Sequence, residues 1–395
     1  MSTHYRTYKK FFYIFIIFFL LSANVWDTRL SDSKPTSSDI DEAVKKIAAH
    51  FIKYTLETTQ DFEKTAVQMG VNTDELKQIC IALNINVDFT IPEIEPKVEP
   101  IAISAFEKLS DDTYQPDVIV EYEEISPYIL LVEKSTHKLY LLKYEHNTRT
   151  LINTFQCKTG KNRGDKQEEG DHKTPEGIFF FVNKYNRKQI SSIVGKENAY
   201  LYGEMAYVID FPNDIDRFYK KNGSGIWLHG TDESFVDTPS YDTRGCVVTT
   251  NETITILSKY IELKKTPLII VDTLSFIDKE AHSEQRKELL TVLEGWRSDW
   301  EKKRIDNYID YYSEHFRDRN RNYSQFKAYK ASIFNAYEIY RIKLDNIIVL
   351  KHNDGLIVKF DQDYNASNLK TINSKELYFI KEKNSWKIIA ENIRN

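Results

Sequence analysis

Short apolar runs, rich in β-branched and aromatic residues and separated by turn residues, fill the middle of this chain and restrict its fold more than any other feature. They lie at residues 128–132, 139–143, 150–157, 177–182, 206–209, 226–228 and 268–271. Runs of this length, bounded by Gly, Pro, Asn and Asp, are typical of β-strands. They predict a mainly antiparallel sheet or barrel. The charged insert 160–173 is too polar for the core and is expected to form a surface loop beside the sheet.

The regions on either side follow helical spacing, so the chain of 395 residues is expected to hold more than one domain. Apolar residues at near-helical intervals predict a helical N-terminal region over 41–120, and the prolines of 91–100 mark a boundary. A helical pattern at 282–316 followed by strand patterns predicts a C-terminal α+β domain over 283–395. The sheet-forming domain is assigned to 125–273.

The first 24 residues have the layout of an export signal. Arg6, Lys9 and Lys10 precede an unbroken apolar run from 11 to 21. As a helix this run rises about 16 Å, well short of the roughly 30 Å core of a bilayer, so a cleaved signal peptide is favoured over a retained anchor. Residues 25–40 are predicted to be a linker. The mature chain is therefore expected in the periplasm or elsewhere in the cell envelope.

Charge and cysteine content exclude several classes of function. With 54 basic and 59 acidic side chains the net charge is -5, which gives no global positive field for nucleic acid. Three cysteines are too few for a disulfide scaffold. The histidines are scattered and no Cys-x-x-Cys pair occurs, so neither a metal site nor a cofactor is expected.

The densest chemical signal is a histidine and a cysteine, each next to a glycine. His229, followed by Gly230, ends an apolar run, and Cys246 comes later in the chain, directly after Gly245. A thiolate nucleophile needs a base nearby to lower its pKa, and an adjacent glycine lets substrate and backbone donors approach closely. For an arbitrary pair of this kind, an inert buried thiol and a core histidine are the alternative interpretation.

The residues around this pair resemble the L,D-transpeptidase catalytic domain family, also called the YkuD family. The resemblance is carried by 139–142, 159–161, 170–177, 211–216, 229–231 and 243–246, and it covers about 128–272. It implies a β-sandwich with the cysteine at the base of a cleft. Domains of this family act on peptidoglycan stem peptides, which are therefore the expected partners.

The resemblance also implies roles for the residues of the motif. Cys246 would attack the carbonyl between meso-diaminopimelate and the terminal D-alanine of a tetrapeptide stem, releasing D-alanine and leaving a thioester. His229 would hold Cys246 as thiolate and then act as acid and base, while the Gly230 carbonyl fixes the imidazole tautomer. The backbone amides of Gly245 and Cys246 are candidates for an oxyanion hole. The residues expected to complete the substrate site are Thr231, Thr243 and Arg244.

Three positions depart from the family signature, which is Ser-His-Gly-Cys followed by a hydrophobic residue and Arg. Thr243 replaces the Ser, Arg244 replaces the His, and Val248 stands where the Arg is expected. The nucleophile is unchanged, so the departure concerns recognition of the substrate and of the acyl acceptor. Arg244 is expected either to meet a diaminopimelate carboxylate or to be a solvated loop residue.

Other residues of chemical interest are expected to have structural roles. His172 is predicted to be a surface residue, and Asp171 and Asp214 to be turn or cap residues. Cys80 lies in a helical pattern and Cys157 in an apolar strand pattern, so both are predicted to be packing thiols.

The C-terminal region resembles the nuclear-transport-factor-2-like (NTF2-like) domain. The resemblance is carried by the aromatic residues of 296–316 and by 358–364, 375–377 and 386–388. It implies a cone of helices against a curved sheet with a pocket. The aromatic side chains are interpreted as core packing, with stacking on glycans as the alternative.

The three-part layout is similar to that of L,D-carboxypeptidases that trim tetrapeptides to tripeptides and set cell shape in curved bacteria. This activity is the main functional prediction. One alternative is an L,D-transpeptidase that forms 3-3 crosslinks or attaches proteins to the wall, and another is hydrolysis of a link between peptidoglycan and an attached protein. A non-catalytic wall-binding scaffold is opposed by the intact His229 and Cys246. A homodimer through residues 41–120 is also considered.

Export can be tested with the first 40 residues alone. Fused to a reporter enzyme that is active only outside the cytoplasm, they should give signal, because a basic start and an apolar run direct secretion. A matched fusion with two aspartates within the run 11–21 should be silent. Equal silence of both fusions would contradict the envelope assignment.

Overall fold

The computed structural model describes residues 45–46, 48–50, 52–53, 66, 73–83, 85, 104–111, 113–123, 126–145, 148–235, 241–318 and 320–394. They belong to two compact units, Met1–Val98 and Glu99–Asn395. The predicted export signal and linker at 1–40 lie outside the described residues. Within the part of the chain that is described, no helix is both long and apolar enough to cross a bilayer.

The first unit contains helix α1 (Thr73–Ala82), which confirms a helical N-terminal region. Leu76 and Cys80 lie one turn apart on this helix and pack against Ile52 and Ala66. The thiol of Cys80 is buried in this apolar cluster, and burial raises its pKa, as befits a packing residue. The homodimer contact through this region stays a prediction.

The second unit holds seven further helices and the strands that the structure describes. The helices are α2 (Ala105–Ser110), α3 (Arg187–Val194), α4 (Asp214–Phe218), α5 (Asn251–Leu257), α6 (Lys279–Glu301), α7 (Ile305–Asp310) and α8 (Tyr323–Ala336), with a 3-10 turn at Ala199–Tyr202. The strands are β1 (Tyr114–Pro116), β2 (Ile119–Tyr122), β3 (Tyr128–Glu133), β4 (Lys138–Glu145), β5 (Thr148–Gln156), β6 (Thr159–Gly160), β7 (Gly177–Asn186), β8 (Met205–Ile209), β9 (Trp227–His229), β10 (Tyr241–Thr243), β11 (Val247–Val248), β12 (Pro267–Val271), β13 (Phe276–Asp278), β14 (Ile339–His352), β15 (Gly355–Ala366), β16 (Lys370–Glu382) and β17 (Ser385–Arg394).

A mixed eight-stranded sheet, the central sheet, has the order β11-β9-β8-β7-β12-β3-β4-β5. Most neighbouring strands are antiparallel, as predicted, but β3 with β12 and β9 with β11 are parallel. Successive residues of β3 point to opposite faces, so Leu130 and Val132 enter one buried cluster while Ile129 and Leu131 enter another. Both faces are covered, and this explains the unbroken apolar runs of β3 (129–132) and β12 (268–271).

The C-terminal sheet is antiparallel, with the order β17-β16-β15-β14-β2. Helix α6 presents a stripe of Leu289, Leu293, Trp296 and Trp300 to the core that α6 to α8 form against this sheet. Trp296 and Phe316 are fully buried. The aromatic residues of this region therefore form a core, as interpreted from the sequence.

The two sheets share one apolar layer. Leu131 of the central sheet and Leu350 and Ile357 of the C-terminal sheet belong to the same buried cluster. Strand β2 precedes the central sheet in the chain, yet it pairs with β14 at the edge of the C-terminal sheet. The helical assignment of 41–120 is therefore corrected at its end, because β1 and the start of β2 lie within it as strands.

A buried ion pair joins two neighbouring strands of the C-terminal sheet. Lys359 on β15 and Glu376 on β16 are both buried, and Nζ lies 2.9 Å from Oε1. The Lys359 ammonium also donates to the Lys264 carbonyl oxygen at 2.7 Å and lies 3.8 Å from the centroid of the Phe180 ring. One cation thus connects the C-terminal sheet to two segments of the central domain.

Replacing Glu376 by Gln should lower the free energy of unfolding by about 3 kcal/mol, because it leaves the Lys359 ammonium buried without its counter-charge. Urea denaturation measures the change. The matched control is Asp345→Asn, which removes an exposed ion pair with Lys343 and should cost less than about 1 kcal/mol. Equal losses for the two variants would show that the buried pair has no special role.

Candidate active site

The candidate nucleophile and base lie on neighbouring parallel strands at the edge of the central sheet. Strand β9 ends at His229, and Cys246 precedes β11, which pairs with β9 in the register Val247 to Leu228. Because side chains alternate, Leu228 and Val247 enter the core on one face while His229 and Cys246 lie on the other. The half-buried Cys246 packs there against a small apolar cluster that includes Ile190, Ala199, Ala206 and Trp227.

His229 is buried, and its environment fixes both its tautomer and its charge. Nδ1 lies 2.6 Å from the Gly230 carbonyl oxygen. Since a carbonyl only accepts, Nδ1 carries the proton and Nε2 keeps its lone pair. The ring of Tyr202 packs on the imidazole with centroids 4.7 Å apart at an interplanar angle of 35°. Burial lowers the pKa of His229 to about 4, although the bond to Gly230 opposes this shift. At neutral pH the imidazole is therefore a neutral base.

The surroundings of Cys246 also favour the uncharged form of its side chain. Burial raises its pKa to about 11, and a backbone hydrogen bond and nearby positive charges oppose this rise only in part. Sγ lies 3.5 Å from the Gly225 carbonyl oxygen, an acceptor that suits a thiol and repels a thiolate. That His229 holds Cys246 as a thiolate stays a prediction, and the directions of both pKa shifts favour the uncharged forms instead. No hydrogen bond joins the two side chains among the described residues, so proton transfer belongs to the substrate complex.

Side-chain hydrogen bonds fix the nucleophile loop, residues 243–246, which carries Cys246. Thr243 Oγ1 donates to the Cys246 carbonyl oxygen at 2.7 Å and accepts from the Gly245 amide at 3.0 Å. The Thr174 hydroxyl donates to the Gly245 carbonyl oxygen at 2.9 Å. A side chain at Gly245 is excluded, because φ is +126° and a Cβ would lie 2.7 Å from the Lys173 carbonyl oxygen. The Gly245 amide is thus already used, which leaves the Cys246 amide as the candidate oxyanion donor.

A hydrogen-bonded group behind the imidazole fixes the loop that carries the Gly230 carbonyl. Asn251 Nδ2 donates to Asp232 Oδ1 at 2.7 Å, and Asn251 Oδ1 accepts from the Glu204 amide at 2.9 Å. Arg187 pairs with the second oxygen of Asp232 at 2.5 Å. A Cβ at Gly230 would lie 2.4 Å from Asn251 Oδ1, so glycine is required there. Sequence reasoning missed Asp232, Arg187 and Tyr202, since none belongs to the motif.

The remaining predicted site residues take different positions. Thr231 is buried, and its hydroxyl accepts from the Glu233 amide at 3.1 Å, so it stabilises a turn. Arg244 is exposed and forms no ion pair with any residue that the structure describes. Its charge acts on both Cys246 and Tyr202, which places it beside the site and leaves it available to an anionic ligand. Val248 is buried and contributes no charge.

The insert 161–173 is a loop beside the sheet, as expected, but it is firmly held. Lys166 is buried and its Nζ lies 2.7 Å from Asp171 Oδ1. Burial opposes the charge of Asp171, yet bonds from Lys166 and from the amides of Gln167, Lys173 and Glu168 hold its pKa at about 2. His172 is half-buried. The Asn222 amide donates to the Gln167 carbonyl oxygen at 2.9 Å, which ties the insert to the segment leading to Gly225.

Comparison with known proteins agrees with this geometry. Residues 127–270 match the model of the L,D-transpeptidase catalytic domain (YkuD). Residues 288–392 match the model of the Cds6 C-terminal NTF2-like domain. Among solved structures, the chain is similar to Bd1075 of Bdellovibrio bacteriovorus, with 31% identity and a TM-score of 0.63, over 71% of this chain and 98% of that one.

The chain is also similar to Pgp2, the helical cell shape determining protein of Campylobacter jejuni. Identity is 25% and the TM-score 0.56, over 70% of this chain and 96% of that one. No curated protein matches the chain. From the match to Bd1075 over nearly its whole length and from both domain models, the chain belongs to the L,D-transpeptidase catalytic domain (YkuD) family. It is a cysteine enzyme of peptidoglycan processing that also carries an NTF2-like domain.

The low pKa of His229 predicts an unusual acid limb in the pH profile of kcat/KM. A protonated imidazole cannot accept the thiol proton, so activity should fall only near pH 4 rather than near the ordinary His value of 6.5. Between pH 8 and about 5 the rate should be nearly constant. Steady-state assays across this range test it, with circular dichroism at each pH as the control for folding. A half-maximal rate near pH 6.5 would contradict a buried neutral base.

Proposed function

We propose that this enzyme is an L,D-carboxypeptidase that removes the terminal D-alanine from tetrapeptide stems of peptidoglycan. The observation that carries the proposal is the neutral His229, whose Nδ1–H is held by Gly230 and whose Nε2 is left as a base on the face of the sheet that also bears Cys246. This arrangement supplies a nucleophile and a proton acceptor without a metal or an organic cofactor.

The proposed reaction has two steps. In the first, the Cys246 proton passes to His229 Nε2 while Sγ forms a bond to the scissile carbonyl carbon, and the Cys246 amide stabilises the oxyanion. The C–N bond then breaks, the proton moves from His229 to the leaving amine of D-alanine, and a thioester remains. In the second step His229 Nε2 takes a proton from the water molecule that attacks the thioester carbon. The C–S bond then breaks, the proton passes from His229 to Cys246 Sγ, and the tripeptide is released with the thiol restored.

Two observations favour water over a second stem as the acyl acceptor. The end of the insert lies directly against the nucleophile loop at Gly245, and the ion pair of Lys166 with Asp171 holds the insert in place. A loop fixed in this way does not open readily for a bulky peptide. The similarity to a helical cell shape determining protein supports a role in cell shape.

We place this activity in the periplasm, where its substrate is found, on the strength of the basic start and apolar run of the first 24 residues. The alternative is a crosslinking L,D-transpeptidase, which uses the same thioester but transfers it to an amine. Both activities share the first step, so only the products separate them.

Mass spectrometry of muropeptides incubated with the purified enzyme should show tripeptide and free D-alanine. New 3-3 crosslinked dimers would identify a transpeptidase instead. Cys246→Ala should abolish turnover, and His229→Ala should lower kcat by about a hundredfold or more, in line with the usual contribution of general acid-base catalysis.

Cys157→Ala is the matched control for the nucleophile. This thiol is fully buried, and burial raises its pKa to about 12, so its loss should leave the rate within about twofold. Release of D-alanine by Cys246→Ala at the wild-type rate would overturn the assigned mechanism.

A further inference from the structure

One buried lysine near the active site, Lys158, has no counter-charge among the residues that the structure describes. Three buried lysines are described between residues 126 and 271. Lys134 pairs with Glu176 at 2.8 Å and Lys166 pairs with Asp171 at 2.7 Å. Lys158 is only 4% exposed, and its Nζ forms no ion pair or hydrogen bond with any described residue. Its contact is with the ring of Phe235, whose centroid lies 4.7 Å from Nζ.

The register of the sheet places Lys158 on the same face as the catalytic histidine. Lys158 exchanges two backbone hydrogen bonds with Val248, and Val248 is the register partner of His229. Residues paired across strands project to one face. The preceding residue in each strand confirms this assignment, because side chains alternate between faces. Cys157, Val247 and Leu228 all lie in the cluster on the opposite face. The Lys158 backbone is therefore two strand spacings, about 10 Å, from that of His229.

The chemistry of this position calls for an anion. An ammonium carries three N–H donors, and a contact with an aromatic face uses none of them fully. Burying a charge without a partner is costly, whereas a carboxylate would form a charge-assisted hydrogen bond. Val248, between Lys158 and His229, offers neither a charge nor a competing acceptor. The stem peptide that would lie on this face carries carboxylates.

We propose that Lys158 binds a carboxylate of the stem peptide and so fixes the position of that peptide relative to Cys246. The inference rests on the proposed function for the class of ligand, and it adds a specificity-determining residue outside the motif. The carboxylate has two candidate sources, the terminal D-alanine and the diaminopimelate side chain.

Binding to a non-turnover enzyme tests the proposal without relying on activity. In the Cys246→Ala background, calorimetry would compare Lys158 with Lys158→Met for three ligands: tetrapeptide, tetrapeptide ending in D-alaninamide, and tetrapeptide amidated at diaminopimelate. Lys158→Met should weaken binding of the unmodified tetrapeptide about tenfold. If the carboxylate that Lys158 binds has been replaced by an amide, Lys158→Met should have almost no effect on the affinity for that ligand. The ligand that is insensitive to the substitution therefore shows which carboxylate Lys158 binds.

Lys184→Met is the matched control, because Lys184 is exposed, lies 5.3 Å from the ring of Tyr207 and should leave all three affinities unchanged. Lys158→Arg keeps the charge and should retain most of the affinity, and it serves if Lys158→Met folds poorly. An equal change for all three ligands, or none, would overturn the proposal. If only the role of Lys158 is wrong, the wild-type enzyme still releases D-alanine in the muropeptide assay. If the enzyme neither binds nor cleaves any stem peptide, the proposed function is wrong as well.

Discussion

The parallel pairing of β9 with β11 is the constraint on which the active site depends. It sets a histidine at the end of one strand beside a cysteine at the start of the next, although the two are separated in the chain by a whole loop. A shift of one residue in either strand would turn one of these side chains into the core. The register is secured because Leu228 and Val247 fill that core, so packing on one face determines the chemistry on the other.

Burial shifts the pKa values of His229 and Cys246 for the same physical reason. Removing water disfavours the charged form of each group, which lowers the pKa of His229 and raises that of Cys246. Both shifts favour the uncharged forms, so the reaction would begin with transfer of one proton in the substrate complex. This differs from a preformed ion pair, in which the thiolate exists before the substrate arrives.

The sequence predicts the parts of this structure that have local signals. Short β-branched runs predict the strands, and the motif residues identify Cys246, His229 and the Gly230 carbonyl. The direction of the thiol pKa could not be predicted, because it depends on burial by Tyr202 and other residues distant in the chain. The pairing of β2 with β14 could not be predicted either, because a short apolar run does not indicate which distant strand it pairs with. The bond between the Gly245 amide and Thr243 likewise appears only when the loop is folded.

Strand β2 also has a consequence for when the central sheet is covered on both faces. The Ile347 amide bonds to the Glu123 side chain across a separation of 224 residues. A loop of this size closes slowly, and it cannot close before the C-terminal sheet has been synthesised. Until then the central sheet has one apolar face without its cover, although the catalytic motif is already complete in sequence. The C-terminal sheet thus determines when the central sheet is fully covered: this apolar face is sealed only in the finished polypeptide.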